Sequence, residues 1–371
     1  MDNAASTTKP FRHAMVFSGG GFRFGYYLGM HAAASECGRQ PDAIFAACGG
    51  AIAAGIVACF QDDESRKQVL VSQEMYRMYR RIQVQSQVRL WRTLTAAIGR
   101  FCSTSIPRSA ANLAQFALFN VEDENDTPLF PFRGDYAGEP HIAIIAAKVL
   151  ASSQTGKAQT HAPSFAEAIL CSPKLAMALG SFPYQPPSPR ISETLQLETS
   201  IPLATAIRIS IGDIGYLAPF THHHTSYIGG MLNLIPHQYA RHCAKQITLE
   251  LKQPFSPFTA VPVFKKYLGF DPNRRLREWH DSAVDNWCDT SDSHRVLKDD
   301  QIRKKLAWRA NRLMVEAPPS YDAFQKMMLA QWQYGYQRGL ACYRSPKNIR
   351  TRMRNANRLN TSAQFRQLME R

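Results

Sequence analysis

The chain has 371 residues, of which 45% are hydrophobic and 20% are charged. This composition excludes a wholly disordered chain and is sufficient for a large buried core. The 44 lysines and arginines exceed the 29 aspartates and glutamates, which gives a formal net charge of +15. Such an excess favours an anionic partner, for example anionic lipid or an acidic protein. Nucleic acid is the least favoured partner, because charge alone supports it and no nucleic-acid-reading motif accompanies the charge.

The eight cysteines are scattered along the chain and none of them forms a CxxC pair. The sequence therefore predicts neither a zinc knuckle nor a dithiol motif, and we expect no metal and no cofactor. Scattered cysteines in a chain of this size are typical of reduced, mostly buried thiols in a cytosolic protein. The N-terminal segment has an acid at Asp2 and no apolar stretch, unlike a secretory signal peptide. We expect a cytoplasmic protein, with peripheral contact at the inner membrane surface left open.

The first sixty residues alternate between strand and helix patterns. A short apolar run over 12–18 predicts a strand, and residues 24–37 after a glycine run predict a helix. A second strand over 44–46 leads into a helix of small residues. This order predicts a parallel α/β sheet. The uncharged stretch Ile44–Phe60 is shorter than the roughly 20 residues of a membrane span, so a buried strand and helix explain it better.

The chain as a whole is predicted to divide into three parts. We predict an α/β domain over 1–254, with a basic helical insertion over 64–120. The insertion is either a pair of amphipathic helices with solvated arginines or a membrane-surface or partner-binding pair. Residues 255–342 are predicted to be a helical extension packed on the core, and residues 343–371 a basic tail. Within the domain, the patterns predict a strand over 141–150, helices over 203–210 and from 237, and a hairpin around 216–228.

Three consecutive glycines, Gly19, Gly20 and Gly21, follow the first predicted strand. Without Cβ atoms, their backbone N–H groups can converge on an anion, and the helix that follows adds its positive N-terminal end. The spacing differs from the G-x-G-x-x-G pattern of dinucleotide-binding proteins, and no Walker lysine follows. The glycines therefore form either an anion-binding loop or a tight turn between strand and helix.

Cys48 lies between the second predicted strand and the helix of small residues. A nucleophile elbow, G-x-S-x-G, occurs at such a junction and requires small neighbours, which Gly49 and Gly50 provide. A helix N-terminus lowers the pKa of a thiol and favours the reactive thiolate. Cys48 is thus a candidate nucleophile, and the alternative is a small buried residue in an inactive elbow.

These segments together resemble patatin-like phospholipases. Residues 19–25 (GGGFRFG) resemble the G-G-G-x-[RK]-G oxyanion motif of that family, and Cys48 lies where the family has its G-x-S-x-G serine. Residues 204–210 are similar to the A-x-R-A-S segment, and residues 227–236 to Y-x-D-G-G-x-x-x-N-x-P. The resemblance covers roughly residues 12–250. It implies a mostly parallel sheet sandwiched by helices and a lipid acyl hydrolase with a Ser–Asp dyad.

Both dyad positions depart from the family pattern, with Cys48 in place of the serine and Ile228 in place of the aspartate. Isoleucine cannot accept a proton, so the usual general base is absent. A thiol depends less on a base than a hydroxyl does, because part of it ionises near neutral pH. His222 and His224 share one face of a strand and one of them could act as the base, oriented by Asp213. The alternative is an exposed hairpin tip, and no third ligand supports a metal site.

Two hypotheses of function follow. The first is an acyl-transfer enzyme in which Cys48 attacks a fatty-acyl ester or thioester and the N–H groups of Gly19–Gly21, with Gly49 as a further donor, stabilise the oxyanion. Thiols exchange readily with thioesters, and the positive charge would attract donors such as acyl coenzyme A or an acidic acyl carrier protein. The second hypothesis is a catalytically inactive relative that binds lipid or a partner protein.

Overall fold

The computed structural model describes residues 9–84, 113, 117, 119–121, 129–130, 138–150, 164–257, 260–280, 284–299, 303–307, 312–316 and 318–344.

A central sheet forms the core of the described chain. Its strands run in the order β11-β10-β1-β2-β5-β6-β7, and the hairpin β8–β9 joins it through an antiparallel pairing of β9 with β5. All pairs from β11 to β5 are parallel, whereas β5 and β6 are antiparallel. The strand bounds are β1 Phe11–Phe17, β2 Ala43–Ala47, β5 His141–Val149, β6 Phe165–Cys171, β7 Gln196–Glu198, β8 Phe220–His222, β9 Thr225–Ile228, β10 Ala244–Leu251 and β11 Asn286–Asp289.

Two antiparallel pairs lie outside this sheet, β3 (Ile82–Val84) with β4 (Phe119–Val121) and β12 (Arg303–Ala307) with β13 (Arg312–Glu316). The helices are α1 Gly25–Glu36, α2 Gly49–Cys59, α3 Asp63–Leu70, α4 Gln73–Arg81, α5 Pro173–Leu179, α6 Leu203–Ser210, α7 His237–Cys243, α8 Ala260–Val263, α9 Pro272–His280, α10 Ser293–Val296 and α11 Tyr321–Arg344. A 3-10 helix covers Gly230–Asn233 and a π-helix covers Phe264–Leu268.

Helices cover both faces of the sheet. Successive side chains of a strand point to opposite faces, and on β1 Met15 and Phe17 pack in one apolar cluster with α1 and α2. Val16 points the other way and packs with Tyr239 of α7 and Phe45 of β2 in a second cluster. Strands that are buried on both sides need apolar residues at nearly every position, which explains why the strand patterns in the sequence are continuous rather than alternating.

The fold confirms the predicted mostly parallel sheet sandwiched by helices with a helix at the C-terminal end. The helix predicted over 203–210 spans Leu203–Ser210, and the hairpin predicted around 216–228 is formed by β8 and β9. The described part of the basic insertion contains helices α3 and α4. Most of residues 85–120, and the part of the predicted basic tail beyond 344, lie outside the described residues.

The region predicted as a helical extension differs in one respect. Strand β11 (Asn286–Asp289) pairs in parallel with β10 and so extends the central sheet. Helix α11 then packs along α1, where Gly335 is needed because a Cβ atom there would overlap the backbone of Tyr26. Strand β11 and helix α11 are therefore part of the same core. Among the helices that the structure describes, none is both long and apolar enough to cross a membrane.

Candidate functional site

Cys48 lies on a sharp turn between β2 and α2, with φ 50° and ψ −123°. A positive φ is uncommon for a residue with a side chain, and such strain costs about 1–3 kcal/mol. The turn also demands glycine at position 49, because a Cβ atom there would overlap the backbone of Gly21. The small residues that suggested a nucleophile elbow in the sequence thus bring the Cys48 turn and the glycine run into direct contact.

Ser210 holds this turn in place from the C-terminal end of α6. Its hydroxyl accepts a hydrogen bond from the Cys48 N–H at 2.9 Å and donates one to the carbonyl of Ile145 at 2.6 Å. Because Ser210 is fully buried, losing its hydroxyl would remove this link between the two backbone groups. The segment over 204–210 that resembles the A-x-R-A-S motif therefore ends on a residue that fixes the elbow.

The loop over 18–25, here called the Gly loop, brings backbone N–H groups to the Cys48 sulfur. The N–H groups of Gly21 and Gly49 lie close enough to the sulfur to favour its charged form and so act to lower its pKa. Gly19 differs from the expectation for an oxyanion donor, because its N–H is already engaged by the carbonyl of Leu234 at 3.0 Å. Gly20 packs over the hydroxyl of Tyr26, which would lie 3.1 Å from a Cβ atom built on it. The approach of their N–H groups to the sulfur makes Gly21 and Gly49 candidate donors.

Asp213 supplies a carboxylate to the site from the turn that follows α6. It lies beside the Cys48 thiol and the backbone N–H of Met231, which both act to lower its pKa. Burial outweighs these two interactions and raises the pKa of Asp213 to about 7. Within the part of the chain that the structure describes, its Oδ1 atom is buried without a hydrogen-bond partner. A carboxylate with a pKa near neutrality can take up and release a proton at physiological pH.

The Cys48 thiol is neutral at rest rather than a thiolate. Its pKa lies well above the ordinary value, because burial disfavours the charge and the charge of Asp213 and a hydrogen bond to it act in the same direction. The Gly49 and Gly21 N–H groups lower the pKa, but burial and Asp213 outweigh them. The position of Cys48 at a helix N-terminus predicts a lowered pKa, and burial and Asp213 oppose that effect. A base is needed, and Asp213 is in contact with the thiol.

The two histidines considered as a base lie elsewhere. His222 ends β8 and is paired with Thr225, and its ring contacts that of His223 at a centroid distance of 4.1 Å. His223 and His224 form the turn of the hairpin, both with positive φ, and His224 is exposed. The interactions that the structure gives for the Cys48 thiol come from Asp213, Gly49 and Gly21 instead. These histidines therefore lie at the tip of an exposed hairpin, which is the alternative that the sequence left open.

Ile228 occupies its expected place beside the elbow, although it cannot act as a base. It is fully buried on β9 and pairs with Ala147 of β5, just beyond the end of β2. The next residue, Gly229, packs against Asp213 so closely that a Cβ atom on it would overlap the carboxylate and backbone of Asp213. The carboxylate therefore lies next to the motif position at which the resembling family has its aspartate.

A small apolar pocket opens onto Cys48. Phe22 and Gly21 of the Gly loop line one part of it, and Ile52 of α2 lines another. The remaining lining residues are Gly49, Ile82, Ile211, Tyr216 and Leu217. The pocket therefore offers an apolar substrate group a place directly beside the sulfur. Among the described residues, no group of three or more metal-ligating side chains is present.

The sequence contained a signal for Asp213 that the motif comparison did not use. Asp213 is the only acidic residue between Glu198 and Glu250. It also follows Ser210 by three residues and is preceded by Gly212, whose carbonyl accepts the Gly229 N–H at 2.7 Å. Asp213 is therefore the carboxylate that the sequence offers closest to the altered motif position 228.

Comparison with known proteins supports the resemblance seen in the motifs. The family model for patatin-like phospholipases matches residues 15–131, a segment that contains the Gly loop and the Cys48 elbow. The resemblance to this family is thereby confirmed, and at family level it supports a lipid acyl hydrolase. Among solved structures, VipD from Legionella pneumophila is similar, with 13% sequence identity, 91% of this chain and 67% of that chain covered, and a TM-score of 0.36. No curated protein sequence shows a significant match.

Proposed function

We propose that the chain is an acyl-transfer enzyme, a lipid acyl hydrolase or acyltransferase, with Cys48 as the nucleophile and Asp213 as its general base. The observation that carries the proposal is the set of contacts on the Cys48 thiol. Asp213 lies beside it, and the N–H groups of Gly21 and Gly49 approach it. The thiol also lines an apolar pocket. A nucleophile, a base, two donors and a binding pocket are the parts that acyl transfer requires.

The reaction follows from these contacts. Asp213 accepts the thiol proton as the Cys48 sulfur attacks the acyl carbonyl carbon, so a C–S bond forms and the carbonyl oxygen becomes negative. The N–H groups of Gly21 and Gly49 stabilise this oxygen. When the tetrahedral intermediate collapses, the bond to the leaving group breaks and Asp213 returns the proton to that group. Water or another acceptor then attacks the acyl-Cys48 thioester, again with Asp213 as base, and releases the free thiol.

Fatty-acyl esters and thioesters are the donors that this site favours. The pocket walls are apolar, which suits an acyl chain and leaves the polar head group outside. A thiol nucleophile exchanges easily with a thioester, since the attacking and leaving groups have similar basicity. The net charge of +15 would attract acyl coenzyme A, an acidic carrier protein or an anionic membrane surface.

The second candidate is a non-catalytic protein that binds lipid or a partner. The observation in its favour is the pKa of Cys48, which burial raises well above the ordinary value. In this case the pocket would hold an apolar ligand without reaction, and Cys48 would be only part of its wall.

Incubation with a fatty-acyl thioester or with phospholipid, followed by intact-mass measurement, distinguishes the two. The enzyme forms an acyl adduct on Cys48 that Cys48→Ala abolishes. Cys171→Ala is a matched control, because Cys171 is also a buried thiol, at the end of β6, and its pKa is raised to about 12 by burial. We expect this variant to be acylated like the wild type. No adduct with any donor, or slow adducts on several cysteines that Cys48→Ala leaves unchanged, would favour the non-catalytic protein.

A further inference from the structure

A cluster of buried polar side chains lies directly beneath the Gly loop, and the proposed reaction gives it no role. Two charged groups, Glu250 at the end of β10 and Lys252 just beyond it, form its centre at an N–O distance of 3.2 Å. Their side chains are only 1% and 14% exposed. Burying two charges is costly, so a pair like this is retained only where hydrogen bonds satisfy it. The remaining members are Ser18, Tyr26, Tyr27 and Thr290.

Glu250 is held in its charged form. Hydroxyl groups surround its carboxylate, and those of Tyr26 and Thr290 each lie 2.9 Å from Oε2. Burial alone would raise the pKa of Glu250, but the charge of Lys252 and the hydroxyl hydrogen bonds lower it to about 2. A permanently negative group therefore lies at the centre of the cluster, and it favours the positive form of Lys252.

The Lys252 ammonium group connects Glu250 to the Gly loop. Its three N–H groups have three acceptors, which are Glu250 Oε1, the Ser18 hydroxyl at 2.9 Å and the carbonyl of Gly19. Because a lysine ammonium has three donors, this arrangement satisfies it fully. Satisfying all three donors at once fixes the direction of each acceptor, including the Gly19 carbonyl.

Fixing the Gly19 carbonyl also fixes the next amide. The peptide group between Gly19 and Gly20 is planar and trans, so its N–H points away from its carbonyl. Glycine residues have wide freedom in φ and ψ, and a run of three needs external contacts to keep one conformation. Tyr27 provides another such contact, because its hydroxyl lies 2.6 Å from the Ser18 carbonyl. The cluster thus determines the path by which the loop reaches Gly21, whose N–H contacts the Cys48 sulfur.

Lys252 also acts on Cys48 through its charge. The pKa of Lys252 lies below its ordinary value, because burial and the charge of Arg23 lower it, and Glu250 and a negative Cys48 sulfur only partly oppose this decrease. The same attraction favours negative charge at the sulfur. The other titratable groups that interact with Cys48 are Asp213 and Tyr216, on the turn after α6.

We propose that Lys252, held by Glu250, is a positioning residue for acyl transfer, which fixes the Gly loop and stabilises negative charge beside Cys48. This inference rests on the proposed function of Cys48. It adds a part of the site that is contributed by residues far beyond the glycine run in sequence. A role in folding alone would leave the reactivity of the sulfur unchanged, and this difference makes the proposal testable.

The experiment compares Lys252→Met, Lys252→Arg and Glu250→Gln with the wild type. The matched control is Lys148→Met, because Lys148 forms a similarly part-buried ion pair with Glu198 elsewhere in the sheet. Two rates are measured by intact mass. One is the acylation of Cys48 by palmitoyl coenzyme A in a single turnover, as a function of donor concentration. The other is the alkylation of Cys48 by iodoacetamide as a function of pH.

We expect Lys252→Met to lower the saturating acylation rate by about 10²-fold, because a small misplacement of catalytic groups usually has an effect of this size. The donor concentration that gives half of the saturating rate should change little. The pH midpoint of alkylation should move upward, because the neighbouring positive charge is lost. Lys252→Arg should restore the midpoint, and Lys148→Met should change neither rate. A Lys252→Met protein that melts earlier but keeps the wild-type acylation rate and midpoint would overturn the proposal.

If Lys252→Met does not fold, Glu250→Gln decides the question, because it keeps hydrogen-bond partners for the hydroxyl groups and releases Lys252. Slower acylation with a shifted midpoint supports the proposal, and wild-type values for both overturn it. Failure of the proposed function gives a different result. In that case the wild type is not acylated by any donor, whereas the alkylation midpoint still depends on Lys252.

Discussion

The Asp213 carboxylate lies beside the Cys48 thiol and packs against Gly229, the residue that follows Ile228. A carboxylate therefore lies beside the elbow even though the motif position holds isoleucine. It comes from a turn that precedes β8 and β9 in the chain, whereas the motif position, Ile228, is the last residue of β9. The two departures from the Ser–Asp motif thus leave a thiol and a carboxylate close together.

Asp213→Asn tests the base. We expect the acylation rate of Cys48 to fall by about 10²- to 10⁴-fold, the usual contribution of a general base. In the wild type the rate should rise with pH through a midpoint near 7, since the pKa of Asp213 is raised to about 7 and only the ionised form accepts a proton. The variant should lose this midpoint. Single-turnover acylation measured across pH shows both effects.

The control for this variant is Asp62→Asn. Asp62 caps α3 by accepting a hydrogen bond from the Ser65 N–H, and asparagine caps helices equally well. Asp62→Asn should keep both the acylation rate and the pH midpoint of the wild type. An Asp213→Asn protein with an unchanged pH profile would show that another group takes the thiol proton.

The same substitution should stabilise the fold at neutral pH. Because burial raises the pKa of Asp213 from 3.8 to about 7, the folded state favours the protonated form, and the stability that this gives is lost as pH rises through the folded pKa. Asparagine has no charge to lose. Asp213→Asn should therefore melt at a higher temperature than the wild type. This difference in melting temperature should grow between about pH 4 and pH 7 and stay constant above pH 7. A difference that does not change with pH would contradict the raised pKa.

Ser210→Ala should loosen the elbow. It removes the hydroxyl between the Cys48 N–H and the Ile145 carbonyl, and leaving buried backbone groups unpaired costs about 1–3 kcal/mol. We expect a lower free energy of unfolding in denaturant titration and slower acylation of Cys48. Ser226→Ala, on the exposed hairpin, should change the free energy of unfolding by less than about 0.5 kcal/mol. Equal stabilities of the two variants would argue against the role of Ser210.

Ile82→Trp tests the pocket. Ile82 lines the pocket and is only partly buried, so a larger side chain there narrows the cavity without filling the core. We expect acylation by a long-chain thioester to slow by about tenfold or more, whereas an acetyl thioester, which does not reach the walls, reacts as before. The acetyl donor is the internal control. Equal slowing of both donors would show a damaged site rather than a narrowed pocket.

The parts of the site that were predicted from the sequence are those encoded by local patterns. The strand, Gly loop, helix, strand and elbow over 11–59 follow one another without interruption, so their order and the small residues at the turns suffice to place Cys48 near Gly21. Helix α6 was likewise predicted over its full length, because Leu203–Ser210 combines apolar periodicity with a preceding proline.

The parts that were missed depend on contacts between distant segments. The position of Asp213 beside Cys48 depends on the packing of the turn after α6 against Gly229, and no local pattern records this contact. Strand β11 has four residues and no alternation, so its place in the sheet was not visible. Glu250 follows a buried strand residue and reads as an ordinary charged position, and only its contact with Tyr26 shows that it is buried.

Helix α11 has a consequence for how small a working version of this protein can be. The side chain of Gln331 accepts a hydrogen bond from the Gly25 N–H at 3.1 Å, where the first helix leaves the Gly loop. The segment that matches the family model ends at residue 131, yet the loop within it is supported by Glu250, Lys252 and Gln331. A fragment that ends where the family match ends would contain the glycine run and Cys48 but would lack the residues that hold the Gly loop in its conformation.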